Sequence, residues 1–418
     1  MKSAQFLASL FNQTATIIAV TLTLVANVSA AERVLHAFLA KPAANPSGGV
    51  AFDAAGNLYG MTASSTGSRN GGVVFELTPN TENGYHILYR FKGGRDGFSP
   101  DGDVVLDPAG NIYGITQSGG GSTSCVDGCG TVFRLAPRVG GGWTESVLYR
   151  FRGGKDGFTP LGGLVLDESG NLYGTTIGGG TSGFGTVFEL SPSGKGWTKS
   201  ILYNFAGDSD GHSPEGKLIR DSAGNLYGTT GEGGGSSTCF SFGCGTVFEL
   251  TPSSGGWSES VLYRFQGGQD GMYPRSKLLF DGVGNLYGTT YYGGSTTCSG
   301  GCGVVFELTP NSDGWSEAVL YSFQGEDGAG PTAGVVFDAA GNLFGATSGG
   351  GRRSDQGGTV FKLTPSGGTW TETVLQNFGG RSGFLPFANL IIDASNNLYG
   401  TTAFGGKVEQ GVVFEIIP

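Results

Sequence analysis

The chain is short of charge. Aspartate, glutamate, lysine and arginine make up 14% of its 418 residues, against about a quarter in an ordinary globular protein. Acids outnumber bases 34 to 24, for a formal net charge of −10. That shortage of bases argues against nucleic acid or an anionic membrane as partner, because phosphates need a basic face. Histidine occurs only at His36, His86 and His212. The sequence shows no Ser-His-Asp constellation, metal cluster or phosphate-binding loop, so no cofactor or metal is expected. Past residue 30, no segment has the 3.6-residue period of an amphipathic helix and no second long apolar run appears. Glycine is plentiful, at 81 residues. It follows no Gly-X-Y period, which excludes a collagen-like fibre.

The first 30 residues read as a signal peptide. Lys2 gives a weakly basic start, residues 15–25 are apolar apart from threonines, and Val28-Ser29-Ala30 is a small-residue cleavage site. The apolar run is short for a membrane span, and an uncleaved anchor is the competing reading. Residues 31–418 are then one domain, expected to be a soluble monomer that is secreted, periplasmic or on the cell surface. The six cysteines form local pairs: Cys125 with Cys129, Cys239 with Cys244 and Cys298 with Cys302. In an exported chain an even count suggests disulfides. Each would be a local staple, closing a loop worth roughly 2 kcal/mol by the chain-entropy argument. A zinc site is the alternative, though its usual pairs are spaced more closely.

What the chain has in quantity is repetition. The stretch Asp53-Ala-Ala-Gly56-Asn57-Leu58-Tyr59-Gly60 returns in variant form at Asp107, Asp167, Asp221, Asp281, Asp338 and Asp393. A fixed period of this length marks an array of similar supersecondary units. Each unit holds four short runs of β-branched and aromatic residues bounded by Gly, Pro, Asn or Asp, which is the signature of strands. We letter them a to d. Residues 50–53 are strand a, 57–62 strand b, 72–78 strand c and 87–91 strand d. The Asp53 carboxylate is placed to accept amides of the a–b turn. Gly56-Asn57 tolerates the positive φ of a tight hairpin. Trp143, Trp197, Trp257, Trp315 and Trp370 follow the c–d turn, with Tyr85 taken as their counterpart in the first copy, and rim packing is their expected role.

Four strands in each of seven units predict an all-β, seven-bladed β-propeller. The domain starts on a d strand at residues 34–38 and ends on a c strand at residues 411–417. Pairing the two would close the ring and remove two exposed edges.

The tandem Gly-Asn-Leu-Tyr-Gly-Thr-Thr and Gly-Thr-Val-Phe-Glu-Leu-Thr-Pro segments resemble the GloVer (Gloeobacter/Verrucomicrobia) repeat of exported bacterial proteins. The resemblance covers nearly all of the chain past the signal peptide. It implies export. Members of that family often carry a surface-sorting tail, but this chain stops at Pro418 on a strand, so the resemblance does not imply that anchor. It supplies no activity, and hence no catalytic residue. The layout is also similar in plan to kelch units.

In a propeller the b–c and d–a connections share one face. The b–c loops are the variable ones here, and variable loops on a rigid scaffold usually carry function. The d–a connections repeat Asp-Gly-x-x-Pro, at Asp96, Asp156, Asp210, Asp270 and Asp327. Five equivalent acids suit turn-building better than a calcium or catalytic site, since catalysis needs acids in unlike environments. The first and third residues after the proline point toward the channel mouth, and these break the pattern. They place Asp101 and Asp103 on one side and Glu215, Lys217, Arg275 and Lys277 on another, with Phe98, Phe158, His212, Met272, Tyr273 and Phe384 nearby. Aromatics beside charges suit a glycan or a peptide. The expected function is non-catalytic binding of a glycan, peptide or cell-surface partner. The alternatives are a glycan-active hydrolase or lyase using Asp101, Asp103, His212 or Arg275, and an architectural envelope protein.

Overall fold

The computed structural model describes residues 30–39, 43–63, 71–239, 242–353 and 356–418. The signal peptide expected at residues 1–30 lies outside them, apart from Ala30. The described chain is all-β. Its only helical segments are 3-10 turns of three residues, such as Gly94–Asp96. Among the described residues, no helix is long and apolar enough to cross a membrane. The strands form small antiparallel sheets in a propeller-like arrangement, each following the order a-b-c-d.

Hydrogen bonding divides the described strands into six sheets rather than the seven expected. Five hold four or five strands each, and the sixth holds eight. The large sheet arises because two innermost strands, Phe98–Leu106 and Phe158–Leu166, touch in parallel at Asp103 and Gly163. Near the axis the backbones are close enough to hydrogen-bond across what would otherwise be a gap. A Cβ on Gly48 would lie 2.0 Å from the Gly102 carbonyl oxygen, and one on Gly102 would lie 2.5 Å from the Gly163 nitrogen. The same crowding continues from Gly162 to Gly216, from Gly216 to Ser276, from Gly334 to Lys277, and from Gly49 to Asn389. Only the smallest residues fit where so many backbones converge.

The ends of the domain meet as expected. The first strand, Ala31–Ala37, pairs antiparallel with the last, Val412–Ile417, from Ala31 opposite Ile417 to Ala37 opposite Val412. Arg33 adds an ion pair with Glu415 at 2.9 Å.

Between sheets lies a recurring aromatic contact. A phenylalanine just past each d strand meets a strand-c phenylalanine of the next unit. The pairs are Phe91–Phe133, Phe151–Phe188, Phe205–Phe248, Phe265–Phe306, Phe323–Phe361 and Phe378–Phe414, with Phe38–Phe75 across the closure. Their centroids lie 4.9 to 5.4 Å apart. Each buried ring is worth about 1.5–3 kcal/mol. This layer also explains the glycine of Leu-Tyr-Gly. A Cβ on Gly60 would sit 2.6 Å from the Phe75 ring, and Gly114, Gly174, Gly228, Gly288, Gly345 and Gly400 stand in the same relation to their own phenylalanines.

The a–b turn is built as its sequence suggests. Asp53 accepts the amides of Ala55 and Asn57, both at 2.9 Å, the Asn57 side chain at 2.8 Å and the Tyr59 hydroxyl at 3.2 Å. The tryptophans pack between units: Trp197 lies edge-on to Tyr113, and Trp257 to Tyr173. Tyr85 is not their counterpart. It pairs with Leu77, whereas Trp143 pairs with Pro137 and Glu145 with Leu135. Tyr85 therefore takes the place of Glu145, and it stacks on His36 at 3.9 Å.

Candidate functional site

All three cysteine pairs are disulfides, joined as the spacing suggests. Cys125 is bonded to Cys129, Cys239 to Cys244, and Cys298 to Cys302, with Cα–Cα distances of 5.1 to 5.3 Å. Among the described residues no cysteine is free, which sets aside the zinc alternative. They are local staples, as expected, spanning four or five residues of sequence. The second cysteine of each pair is also fully buried in the core. Cys129 packs in one cluster with Val132 and Phe151, Cys244 with Val247 and Phe265, and Cys302 with Val305 and Phe323. The reason is that each b–c loop folds back onto the phenylalanine of the inter-unit layer, so the bond anchors the loop to that layer. The Thr238 hydroxyl lies 3.5 Å from Cys244 Sγ, and the Thr297 hydroxyl 3.1 Å from Cys302 Sγ. Each bond also sits beside the next d–a turn. A Cβ on Gly153 would lie 3.0 Å from Cys129 Sγ, and one on Gly267 would lie 2.6 Å from Cys239 Sγ. None of the six cysteines lines the central cavity described below.

The repeated acids of the d–a connection build turns. Asp96 accepts the Tyr89 hydroxyl at 2.8 Å and the Lys92 amide at 2.6 Å. Asp156, Asp210, Asp270 and Asp327 each take the corresponding tyrosine hydroxyl and amide. These carboxylates face the gaps between sheets.

Around the axis the ends of the innermost strands enclose a cavity of about 460 Å³. The six charged residues expected at the mouth line it: Asp101, Asp103, Glu215, Lys217, Arg275 and Lys277. Asp103 is buried. Its Oδ1 accepts the Gly49 amide at 3.0 Å, and its Oδ2 accepts the Asn389 side chain at 3.0 Å and Lys217 at 3.4 Å. Glu215 pairs with Arg275 at 2.9 Å and accepts the Tyr273 hydroxyl at 2.9 Å. The Arg275 guanidinium lies 5.7 Å from the Tyr273 ring and 6.0 Å from the Tyr291 ring, within cation–π range. Tyr273 thus holds the wall of the cavity through Glu215 and Arg275. Asp101 accepts the Gly102 amide at 2.7 Å and the Gln117 side chain. Burial pushes the Asp101 carboxyl up, against the pull of these hydrogen bonds and of the Arg275 charge. Burial also pushes the Lys277 ammonium down; Lys217 adds to the effect and Asp103 opposes it.

His212 does not belong to this mouth. It lies between two units, in a separate cavity of about 470 Å³, with its ring 5.3 Å from that of Phe184 and 5.7 Å from that of Phe242. Its Nδ1 is 3.1 Å from Ser213 Oγ and its Nε2 is 3.0 Å from Glu232. Burial lowers its basicity, while Asp210 and Glu215 raise it. Phe98, Phe158, Met272 and Phe384 also lie off the central cavity, whose aromatic wall is Tyr291 and Phe387. Sequence reasoning missed Gln117 and Tyr291. Both follow the Thr of strand b, a position that reads Ala63, Gln117, Ile177, Gly231, Tyr291, Ser348 and Ala403 across the units. Variation at one register of a uniform strand was the available signal. Among the described residues, no group of three or more His, Cys, Asp or Glu side chains could hold a metal ion.

The model of the Gloeobacter/Verrucomicrobia repeat matches residues 9–242 and 236–418. No curated protein matches the sequence. Among solved structures, the chain is similar to a candidate 6-phosphogluconolactonase from Bacteroides uniformis. That similarity has 16% identity and a TM-score of 0.51, over 88% of this chain and 99% of that one. It is also similar to PorZ, a surface component of the type-IX secretion system of Porphyromonas gingivalis. There the identity is 12% and the TM-score 0.50, over 88% of this chain and 46% of PorZ. At these identities the likeness extends to the fold alone.

Proposed function

The chain belongs to the Gloeobacter/Verrucomicrobia repeat family, and we propose that it is an exported binding protein whose ligand site is the central mouth. We read the eight-stranded sheet as two blades joined at the axis, which gives seven blades in all. Three disulfides fit an oxidising compartment outside the cytoplasm. One observation carries the reading. Units that are otherwise near copies differ where they meet the cavity, and there they bring together three acids, three bases and a tyrosine. A stabilising framework has no need of such asymmetry; a ligand with a polar, asymmetric outline does.

The occupant this mouth suits is a glycan, whose hydroxyls both donate to carboxylates and accept from cations. Screening a glycan array and then measuring affinity by calorimetry tests the reading. Binding lost in Arg275→Ala and in Tyr291→Ala supports it; a full screen with no hit, or hits indifferent to both changes, defeats it. The catalytic alternative rests on Asp101, whose lifted carboxyl could serve as an acid. A product assay on each bound glycan separates the two: binding without turnover favours the first, and turnover abolished by Asp101→Asn favours the second.

A further inference from the structure

Lys277 differs from the other cations of the mouth. Lys217 has Asp103 at 3.4 Å and Arg275 has Glu215 at 2.9 Å. Lys277 makes no ion pair or hydrogen bond among the described residues, although it is half-buried and lines the cavity. Asp103 acts on Lys277 through its charge alone, while its oxygens accept Gly49, Asn389 and Lys217. Lys217 and Lys277 occupy the same register on neighbouring innermost strands, so each raises the cost of the other's charge. Leaving an ammonium partly desolvated and unpaired is unfavourable. An oxyanion in the cavity would relieve it.

We infer that the mouth recognises a carboxylated saccharide, with the uronate-type carboxylate on Lys277 and a sugar ring against Tyr291. This rests on the reading of the mouth as a glycan site. The surroundings favour a saccharide over an acidic peptide. Asp101, Asp103 and Glu215 would repel a run of acidic side chains, whereas sugar hydroxyls can donate to them. The first and last strands pair with each other, so that junction offers no free edge to which a peptide could add as a strand.

The test is calorimetric titration of the full chain past residue 30 with a trimer of two neutral sugars and one galacturonic acid, its methyl ester, a singly sulfated neutral trimer and a glutamate-rich peptide. The acid should bind at least tenfold more tightly than its methyl ester. Lys277→Gln should erase that difference, and Lys277→Arg should restore most of it. Circular dichroism melts check that each variant is folded. Equal binding of acid and ester overturns the inference and leaves the glycan reading intact. Tighter binding of the sulfated trimer than of the acid overturns carboxylate as the recognised group. Binding of the peptide alone, or of no probe, overturns the inference together with the glycan reading.

Discussion

The gap between the second and third units differs from the next three gaps in the charge it holds at one register. In the former, Lys199 pairs with Asp156 at 3.1 Å and lies over the rings of Tyr149, Phe151 and Phe188. At the same register the following gaps have Glu259, Glu317 and Glu372, each facing a turn acid: Asp210, Asp270 or Asp327. Glu145 faces Asp96 in the gap before. Each of these glutamates has an Oε1 that is buried without a partner. Burial, reinforced by the neighbouring aspartate, pushes their carboxyls up to about 7. One backbone position thus hosts either an ion pair or an acid that holds its proton. Stacking of the units is set by the phenylalanine layer, and the charge lodged beside it decides how the gap responds to pH.

The largest effect should be common to both kinds of gap. Phe151→Ala and Phe205→Ala are each expected to cost about 3–5 kcal/mol in denaturant unfolding, because both remove a buried ring from the same layer. A clear inequality between them would show that the charge beside the ring, and not the ring, carries the junction. Next comes the ion pair itself. Lys199→Ala should destabilise by roughly 3 kcal/mol at pH 8, since it leaves Asp156 without its buried partner. A loss under about 1 kcal/mol would place this pair among ordinary surface ion pairs.

The acid gaps should respond to pH in the opposite sense to most carboxylates. Their folded-state value, about 7, lies above the ordinary 4.5, so the folded chain binds the extra proton between the two. Their contribution is full below about pH 4.5 and is lost as pH rises through 7. Glu259→Gln should leave melting unchanged at pH 4.5. At pH 8 it should gain about 1 kcal/mol, a figure already discounted for solvent screening. Glu259→Lys, which recreates the second-to-third gap, should do the same. A melting profile unaffected at both pH values would remove the distinction between the gaps.

The smallest effect is expected at the closure, where His36 stacks on Tyr85. Burial lowers His36 to about 4, helped by the charge of Lys407. Here the unfolded chain binds the extra proton, so stability falls as pH drops from 6.5 toward 4. His36→Phe should flatten that limb by no more than about 1 kcal/mol and leave the alkaline limb alone. An unchanged acid limb would mean that His36 is protonated in the folded chain.

Strand order, the a–b turn chemistry and the cysteine pairing were legible in the sequence, because each depends on residues close together in the chain and recurs with the period. So was the register by which Asp101, Asp103, Glu215, Lys217, Arg275 and Lys277 reach the axis, since side chains alternate along a strand. The count of sheets was not legible: whether two innermost strands hydrogen-bond at Asp103 and Gly163 depends on how closely the units crowd the axis. Nor was the burial of Cys129, Cys244 and Cys302 against the phenylalanine layer, which depends on where each loop folds back. The separation of His212 from the mouth was hidden too, because its ring packs between two units against Phe184 and Phe242.

By itself, then, the amino-acid order determined that there would be repeated four-stranded units, three short-range disulfides and two complementary ends, since strand patterning and short loops are decided within a few tens of residues. Only the tertiary structure decided which side chains of different units meet. The Phe–Phe layer, the Glu–Asp pairs and the unpaired Lys277 all lie at contacts between units, where periodicity is silent and the packing of neighbours selects the partners.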